Sequence, residues 1–204
     1  MKKIMLVCAS AASLGLMGSV LAQPYIGASV GYANTVFKSI TGTTNTHQGN
    51  SGFDAGVLAG YEYKFDAFYL AGDVNLTGYN IKEKYTNTGL GSLTYQYNSS
   101  YGVDIYPGFY LNNDVKLFVL GGYQVGNFQF KNNFAGNSYS TSKSLGGWDL
   151  GLGSDVVLND HFTLRLAYKW IGYSSMRSTS PNWNEQITPT SNQFNLSILY
   201  RFSF

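Results

Sequence analysis

Apolar and polar residues alternate along nearly the whole chain, in eight strand-length runs joined by alternately short and long connections. Only 12% of the 204 residues are Asp, Glu, Lys or Arg, while 16% are aromatic. Together these features predict an all-β fold, an eight-stranded antiparallel up-and-down transmembrane β-barrel at 23–204 behind an export signal at 1–22. The charge content is about half the ~25% usual for soluble globular proteins. With 17 Tyr, 13 Phe, 3 Trp and 24 Gly, the chain is too apolar to be disordered. A formal net charge of +2 is too weak a basic excess to suggest nucleic acid as a partner. Mean hydropathy near zero excludes a bundle of membrane helices but not a barrel, whose two faces average out.

The leader comes first. Met1-Lys2-Lys3 is a positive start, Ile4 to Leu21 is apolar, and Val20-Leu21-Ala22 offers the small residues of a cleavage site, placed after Ala22. Cys8 is the single cysteine and lies at the start of the apolar run, so lipidation is not expected. The mature chain then has no disulfide and no thiol chemistry. Of the 13 basic residues Lys2 and Lys3 leave with the leader, so 11 basic face 11 acidic residues and the exported chain is formally neutral.

Eight strands follow, each long enough for the ~9–11 residues that a tilted transmembrane strand needs. They run from Pro24 to Asn34, Gly52 to Phe65, Ala67 to Asn80, Thr94 to Leu111, Val115 to Lys131, Ser144 to Leu158, His161 to Met176 and Ser191 to Phe204. In the second, Phe53, Ala55, Val57, Ala59, Tyr61 and Tyr63 oppose Asp54, Gly56, Gly60, Glu62 and Lys64. In the third, Phe68, Leu70, Val74 and Leu76 oppose Asp73, Asn75 and Thr77. The fourth sets Tyr97, Tyr101, Val103, Ile105 and Phe109 against Gln96, Asn98, Ser100 and Asp104. The fifth breaks the rule, because Phe118 and Leu120 share the phase of Lys116 and Gln124. The sixth sets Trp148, Leu150, Leu152, Val156 and Leu158 against Gly147, Asp149, Gly151, Gly153 and Asp155. The seventh sets Phe162, Leu164, Leu166, Tyr168 and Trp170 against Thr163, Arg165, Ala167 and Lys169. In the eighth, Phe194, Leu196, Ile198, Tyr200, Phe202 and Phe204 oppose Asn195, Ser197, Leu199, Arg201 and Ser203.

Connections around Phe65-Asp66-Ala67, Asn112-Asn113-Asp114 and Asn159-Asp160 suit tight hairpins. Thr35–Ser51, Ile81–Leu93, Asn132–Lys143 and Arg177–Thr190 read as long polar loops. Short turns on one side and long loops on the other are the outer-membrane arrangement.

Alternation alone does not say which face is inside. Eight strands enclose a lumen that side chains fill, and the ring-bearing face is too bulky for it. A Lys or Arg facing lipid at the midplane costs ~2–4 kcal/mol, so Arg165, Lys169 and Arg201 belong inside. The expected lumen network is then Asp54, Glu62, Asp73, Asp104, Asp149 and Asp155 against Lys64, Lys116, Arg165, Lys169 and Arg201. It reads as a salt-bridged polar plug.

With these residues in view a family resemblance emerges. The leader, the opening Tyr25-Ile26-Gly27-Ala28-Ser29-Val30-Gly31-Tyr32 and the eight strands resemble the small eight-stranded outer-membrane barrels: the OmpA transmembrane domain, OmpX and the opacity-type surface proteins. Tyr106-Pro107-Gly108-Phe109-Tyr110, a turn, and Leu117-Phe118-Val119-Leu120-Gly121-Gly122-Tyr123 are similar to that family's middle hairpin. The closing Tyr200-Arg201-Phe202-Ser203-Phe204 resembles the signal that the barrel-assembly machinery reads, with Tyr200, Phe202 and Phe204 as its alternate aromatics. The resemblance implies a monomer in the Gram-negative outer membrane, in contact with its lipid. Pro107 removes a ladder donor from a closed wall, so a bulge is expected near the periplasmic rim.

Candidate chemistry is sparse. His47 falls in the first long loop and His161 at a short turn, so no histidine cluster for a metal is expected, nor any other cofactor. The barrel-borne enzymes of this class act on lipid A with a His, a Ser and an acid, and His161-Phe162-Thr163 lacks the serine. Gly121-Gly122 and Gly151-Leu152-Gly153 lie inside strands and suit a crowded lumen rather than a phosphate loop. Asn75, Asn98 and Asn195 read as lumen polar groups. The sequence therefore predicts a non-enzymatic outer-membrane protein, structural and surface-exposed through its long loops, and the family resemblance implies adhesion or host interaction there. The alternatives are a narrow pore for ions or small hydrophobic molecules and a lipid A-modifying enzyme. Lys82, Glu83 and Lys84 read as solvating charges.

Overall fold

The computed structural model describes residues 22–41, 44–87, 91–134, 137–180 and 183–202. The leader assigned to 1–22 lies outside them apart from Ala22, which opens the first strand, and so does Phe204. The strands are β1 (Ala22–Thr41), β2 (Thr44–Phe65), β3 (Phe68–Asn87), β4 (Gly91–Tyr110), β5 (Val115–Phe134), β6 (Asn137–Val157), β7 (Phe162–Tyr173), β8 (Met176–Ser180) and β9 (Trp183–Arg201). Each pairs antiparallel with its neighbour, and β1 closes on β9 from Tyr25↔Arg201 to Thr41↔Glu185. β7 and β8 both pair with β9 and form one stave broken at Ser174-Ser175, so the wall has eight staves.

The periplasmic turns follow from side-chain chemistry. Asp66 takes a φ of 54°, a left-handed conformation that a short polar side chain tolerates. At the other two turns an asparagine carbonyl caps the returning strand. Asn112 Oδ1 accepts from the Asp114 and Val115 amides at 2.9 and 2.8 Å. Asn159 Oδ1 accepts from the His161 and Phe162 amides at 2.9 and 2.8 Å.

The stretches expected as long loops are largely strand. β1 and β2 stay paired to Thr41↔Thr44, β3 and β4 to Asn87↔Gly91, and β5 and β6 to Phe134↔Asn137. Arg177–Thr190 holds β8 and the start of β9. These segments are rich in Asn, Thr, Ser and Gly, which is why they read as loop. The ladder still forms, since Thr, Ser and Tyr alternate as well as aliphatics do.

Apolar side chains ring the outside, including Phe53, Val57, Leu150, Leu152, Leu196 and Ile198. On β2 the band runs from Phe53 to Phe65, twelve steps of about 3.3 Å, which at a tilt of about 40° rise about 30 Å. That matches the ~30 Å hydrocarbon core of a bilayer. From Phe53 to Thr44 the same strand climbs a further ~23 Å into the medium.

In this outer part the wall divides. β2 and β3 pair only as far as Asp54↔Tyr79, and β6 and β7 as far as Gly147↔Tyr173, with one more bond from the Ser174 amide to the Gly146 carbonyl. Beyond these points the described strands form two four-stranded sheets, β8–β9–β1–β2 and β3–β4–β5–β6. An apolar core joins them: Ala33, Phe37, Met176 and Ile187 on one side, Ile81, Tyr97, Phe128 and Leu145 on the other, with Ile171 and Tyr173 of β7.

Two further expectations are corrected. Tyr97, assigned to the lipid face, is fully buried inside, because a bulge between Tyr97 and Ser99 flips the phase of β4. Asn98 is the extra residue of that bulge. Pro107 produces no bulge: β4 keeps its register with β3 at Leu70↔Pro107, and its ladder to β5 simply skips from Ile105↔Gly121 to Gly108↔Phe118. Phe118 and Leu120 point inward beside Lys116 and Gln124, as their phase implies.

Candidate functional site

The inward faces meet in a filled lumen whose layers can be followed from the periplasmic end. Glu62 of β2 is the first anchor. It accepts Lys116 Nζ at 2.6 and 2.8 Å, Arg201 Nη2 at 3.2 Å and the Tyr110 hydroxyl at 3.3 Å. Lys116 is wholly buried and also lies over the rings of Tyr69 and Tyr110, at 4.8 and 5.2 Å from their centroids.

The second layer centres on Arg165 of β7. Its Nε and Nη2 grip both oxygens of Asp155 at 2.8 and 3.0 Å, a bidentate fork. Nη1 reaches Asp73 Oδ2 at 3.5 Å, and the Tyr25 hydroxyl donates to the same oxygen at 3.2 Å. The guanidinium stacks among Tyr106 at 4.2 Å, Phe118 at 5.2 Å and Tyr25 at 5.6 Å. An arginine with a fork and three ring faces is held in one orientation.

Lys169 heads the third layer. Its Nζ bonds Asp104 Oδ2 at 2.5 Å and lies 3.9 Å from Asp149. Asp104 also accepts Asn75 Nδ2 at 3.0 Å, Gln124 Nε2 at 3.1 Å and the Tyr106 hydroxyl at 3.3 Å. Above it Asn195 Nδ2 donates to Asp54 at 2.9 Å. Gln193 then bonds the Tyr79 hydroxyl at 2.9 Å, which meets Ser100 at 2.9 Å.

Aromatic rings cover this stack. Tyr97 stacks on Tyr79 at 4.0 Å and on Phe128 at 4.6 Å, and its hydroxyl bonds that of Tyr173. Phe37 meets Phe128 edge-on at 6.1 Å. Burial keeps the Tyr97 and Tyr173 hydroxyls protonated well past the usual phenol range.

Small residues make room. At Gly153 a Cβ would run into the Phe118 ring and the Leu166 carbonyl, and at Gly122 into Asp104 and the Val103 carbonyl. These glycines are what an eight-stranded lumen packed with long side chains requires.

Of the eleven lumen residues expected, ten lie in these layers. Lys64 does not. It is exposed at the periplasmic mouth, two residues past Glu62, with its Nζ 4.6 Å from the Tyr110 ring centroid. Its phase is inward, but the wall ends before enclosing it. Phe118 lies inward as its phase implies, but sequence reasoning gave Tyr25 and Tyr106 no place in the lumen, because rings there are expected to face lipid. The signal available was their shared phase with Ser29 and Asp104. Among the described residues no group of three or more His, Cys, Asp or Glu side chains is arranged to hold a metal ion. Tyr200 and Phe202 face outward beside His161 and Phe162, with Tyr200 stacked on His161 at 5.7 Å.

Known proteins share this architecture. Residues 4–202 match the family model for the outer membrane protein beta-barrel domain. The outer membrane protease OmpT from Escherichia coli is similar over 88% of this chain and 97% of its own, at 6% identity and a TM-score of 0.54. Neisserial surface protein A is similar over 89% of this chain and 99% of its own, at 14% identity and a TM-score of 0.50. Ail, the attachment invasion locus protein of Yersinia pestis, covers 88% and 99% at 19% identity and a TM-score of 0.48. At such identities the likeness is one of fold. No curated protein matches the chain.

Proposed function

This chain belongs to the outer membrane protein beta-barrel domain family of the Gram-negative outer membrane, and we propose that it is a non-enzymatic surface protein that acts through its outer end. One observation carries the reading. The lumen is packed with ion pairs under an aromatic lid, while the strands continue ~23 Å beyond the apolar band. Chemistry or transport through the centre would need space or mobile polar groups, and the layers offer neither. The outer sheets are then the part of the protein that meets a host or surface ligand, and the barrel holds them in place.

Export and assembly fit the same reading. The leader at 1–22 is removed after Ala22, and the aromatics Tyr200, Phe202 and Phe204 are read by the barrel-assembly machinery as the last strand enters the wall. The folded product is a monomer in outer-membrane lipid.

Two experiments test this. In planar bilayers the purified protein is expected to give no steady conductance above the lipid background; a large open channel would refute the plug. Cells displaying the protein are expected to adhere to host-cell monolayers better than cells displaying a version whose β1–β2 and β5–β6 hairpins are trimmed to the bilayer rim. Equal adhesion by both would refute an outward-facing role.

A further inference from the structure

The charges of the lumen do not balance, and the imbalance has a location. Six buried carboxylates face four cations, since Lys64 stands in solvent. The periplasmic half is matched: Glu62 lies between Lys116 and Arg201, and Asp155 and Asp73 share Arg165. The outer half holds Asp54, Asp104 and Asp149 with Lys169 alone.

Both halves hold unmatched buried atoms, but those of the periplasmic half include donors, Arg201 Nε and the Tyr69 and Thr163 hydroxyls, beside Asp73 Oδ1. Asp104 is fully engaged. Asp149 is 1% exposed, yet neither of its oxygens has a hydrogen-bond partner. Asp54 keeps its bond from Asn195, but its Oδ2 has none. Gln124, equally buried, spends its Nε2 on Asp104 and leaves Oε1 without a donor. Every unmatched atom of the outer half is an acceptor, and a cluster short of both positive charge and donors is short of protons.

We propose that Asp149 and Asp54 are neutral carboxylic acids in the folded barrel at mildly acidic pH, that their two protons are bound parts of the plug, and that loss of those protons as pH rises is a switch that loosens it. The four carboxylates that remain then equal the four cations. The backbone prepares this arrangement. Asp104, Gly122 and Asp149 are cross-strand neighbours on β4, β5 and β6, and no side chain at Gly122 separates the two acids. Asp149 is faced by Asp104 of β4, Gln124 of β5, and Lys169 and Tyr173 of β7. Asp54 is faced by Asn195 of β9, Tyr79 of β3 and Lys169. Once both protons leave, three buried carboxylates surround one ammonium.

The test compares Asp149→Asn and Asp54→Asn, neutral and nearly isosteric, with Asp104→Asn, in lipid vesicles. Infrared absorption of protonated carboxyls in the folded wild type is expected to show two buried acids, each variant at 149 or 54 losing one. At mildly acidic pH the urea midpoints of Asp149→Asn and Asp54→Asn stay near wild type, while that of Asp104→Asn falls. The wild-type midpoint drops as pH rises through the loss of the protons, since stability from a bound proton vanishes on that side; in the double variant Asp54→Asn/Asp149→Asn this drop disappears. Absence of protonated-acid absorption from the folded wild type would overturn the proposal. So would a loss in Asp149→Asn equal to that in Asp104→Asn. A wild-type midpoint that falls when choline replaces sodium at constant ionic strength would overturn it as well, by placing a metal cation where the protons are assigned.

Discussion

Replacing Glu62 by Gln removes one negative charge from a layer that contains two buried cations. Lys116, wholly buried, keeps at most one of its contacts of 2.6 and 2.8 Å, and neither it nor Arg201, at 3.2 Å, keeps a charged partner in Glu62. Gln keeps the shape and one acceptor oxygen, so packing is unchanged and the effect is electrostatic. Removing one partner of a buried pair costs ~3–5 kcal/mol, because the other charge remains desolvated. Two cations share this acceptor, so a loss near ~4 kcal/mol is expected, a large part of the ~5–15 kcal/mol that stabilises a domain. With a urea slope of about 2 kcal/mol/M, the unfolding midpoint in lipid vesicles falls by about 2 M. Heat-modifiable gel mobility gives a second reading of the same transition. Lys116→Met in the Glu62→Gln background removes one of the stranded cations and is expected to restore part of the loss. A Glu62→Gln midpoint within a few tenths of a molar of wild type, about 0.5 kcal/mol, would refute the reasoning. It would mean that the lumen is wet enough to solvate Lys116.

Three further outcomes follow from the two faces and the lid. Leu152→Arg, halfway along the lipid-facing side of β6, should destabilise the barrel by ~2–4 kcal/mol in the same urea assay. Gly122→Ala drives a Cβ against the Val103 carbonyl and Asp104 and should cost ~1–3 kcal/mol. Its neighbour Gly121 faces outward, with Leu150 no closer than 3.6 Å, and Gly121→Ala should change stability by less than ~0.5 kcal/mol. Truncating the lid in Tyr97→Ala/Phe128→Ala should raise ion leakage in planar bilayers if the rings seal the outer end, while unchanged leakage would place the seal in the charged layers alone.

Strands with lipid on one side were legible because a single rule governs them. β6, β7 and β9 place every second residue against hydrocarbon, so Trp148, Leu150, Leu152 and their opposites Asp149 and Asp155 could be assigned from period two. The same rule failed where lipid stops. Above the bilayer, a composition rich in Thr, Ser and Asn made β-structure look like loop, and no periodicity marked the inward Phe37 or Ile187 as a second core. Tyr97 was misplaced for a different reason: one extra residue flips a strand, and nothing in Tyr97-Asn98-Ser99-Ser100 announces it. Lys64 has the correct phase but lies past the end of the wall, and strand ends are set by turn geometry at Asp66 rather than by alternation. The charged layers were visible as a set, since few other places exist for Asp155 or Arg165. Their pairing was not, because it joins residues far apart in the chain, such as Arg165 with Asp73 and Arg201 with Glu62.

The orientation of the wall is what all of this rests on, and because the chain's single cysteine, Cys8, precedes β1, it is directly measurable on a Cys8→Ser background. Single cysteines placed in turn at positions 148 to 156 of β6, spin-labelled in bilayers, report collisions with dissolved oxygen, which is enriched among lipid tails. Even positions should collide strongly and odd positions weakly, in step with the exposure of Trp148, Leu150 and Leu152 and the burial of Asp149 and Asp155. The opposite alternation, or none, would contradict a barrel with its rings in lipid and its charges within.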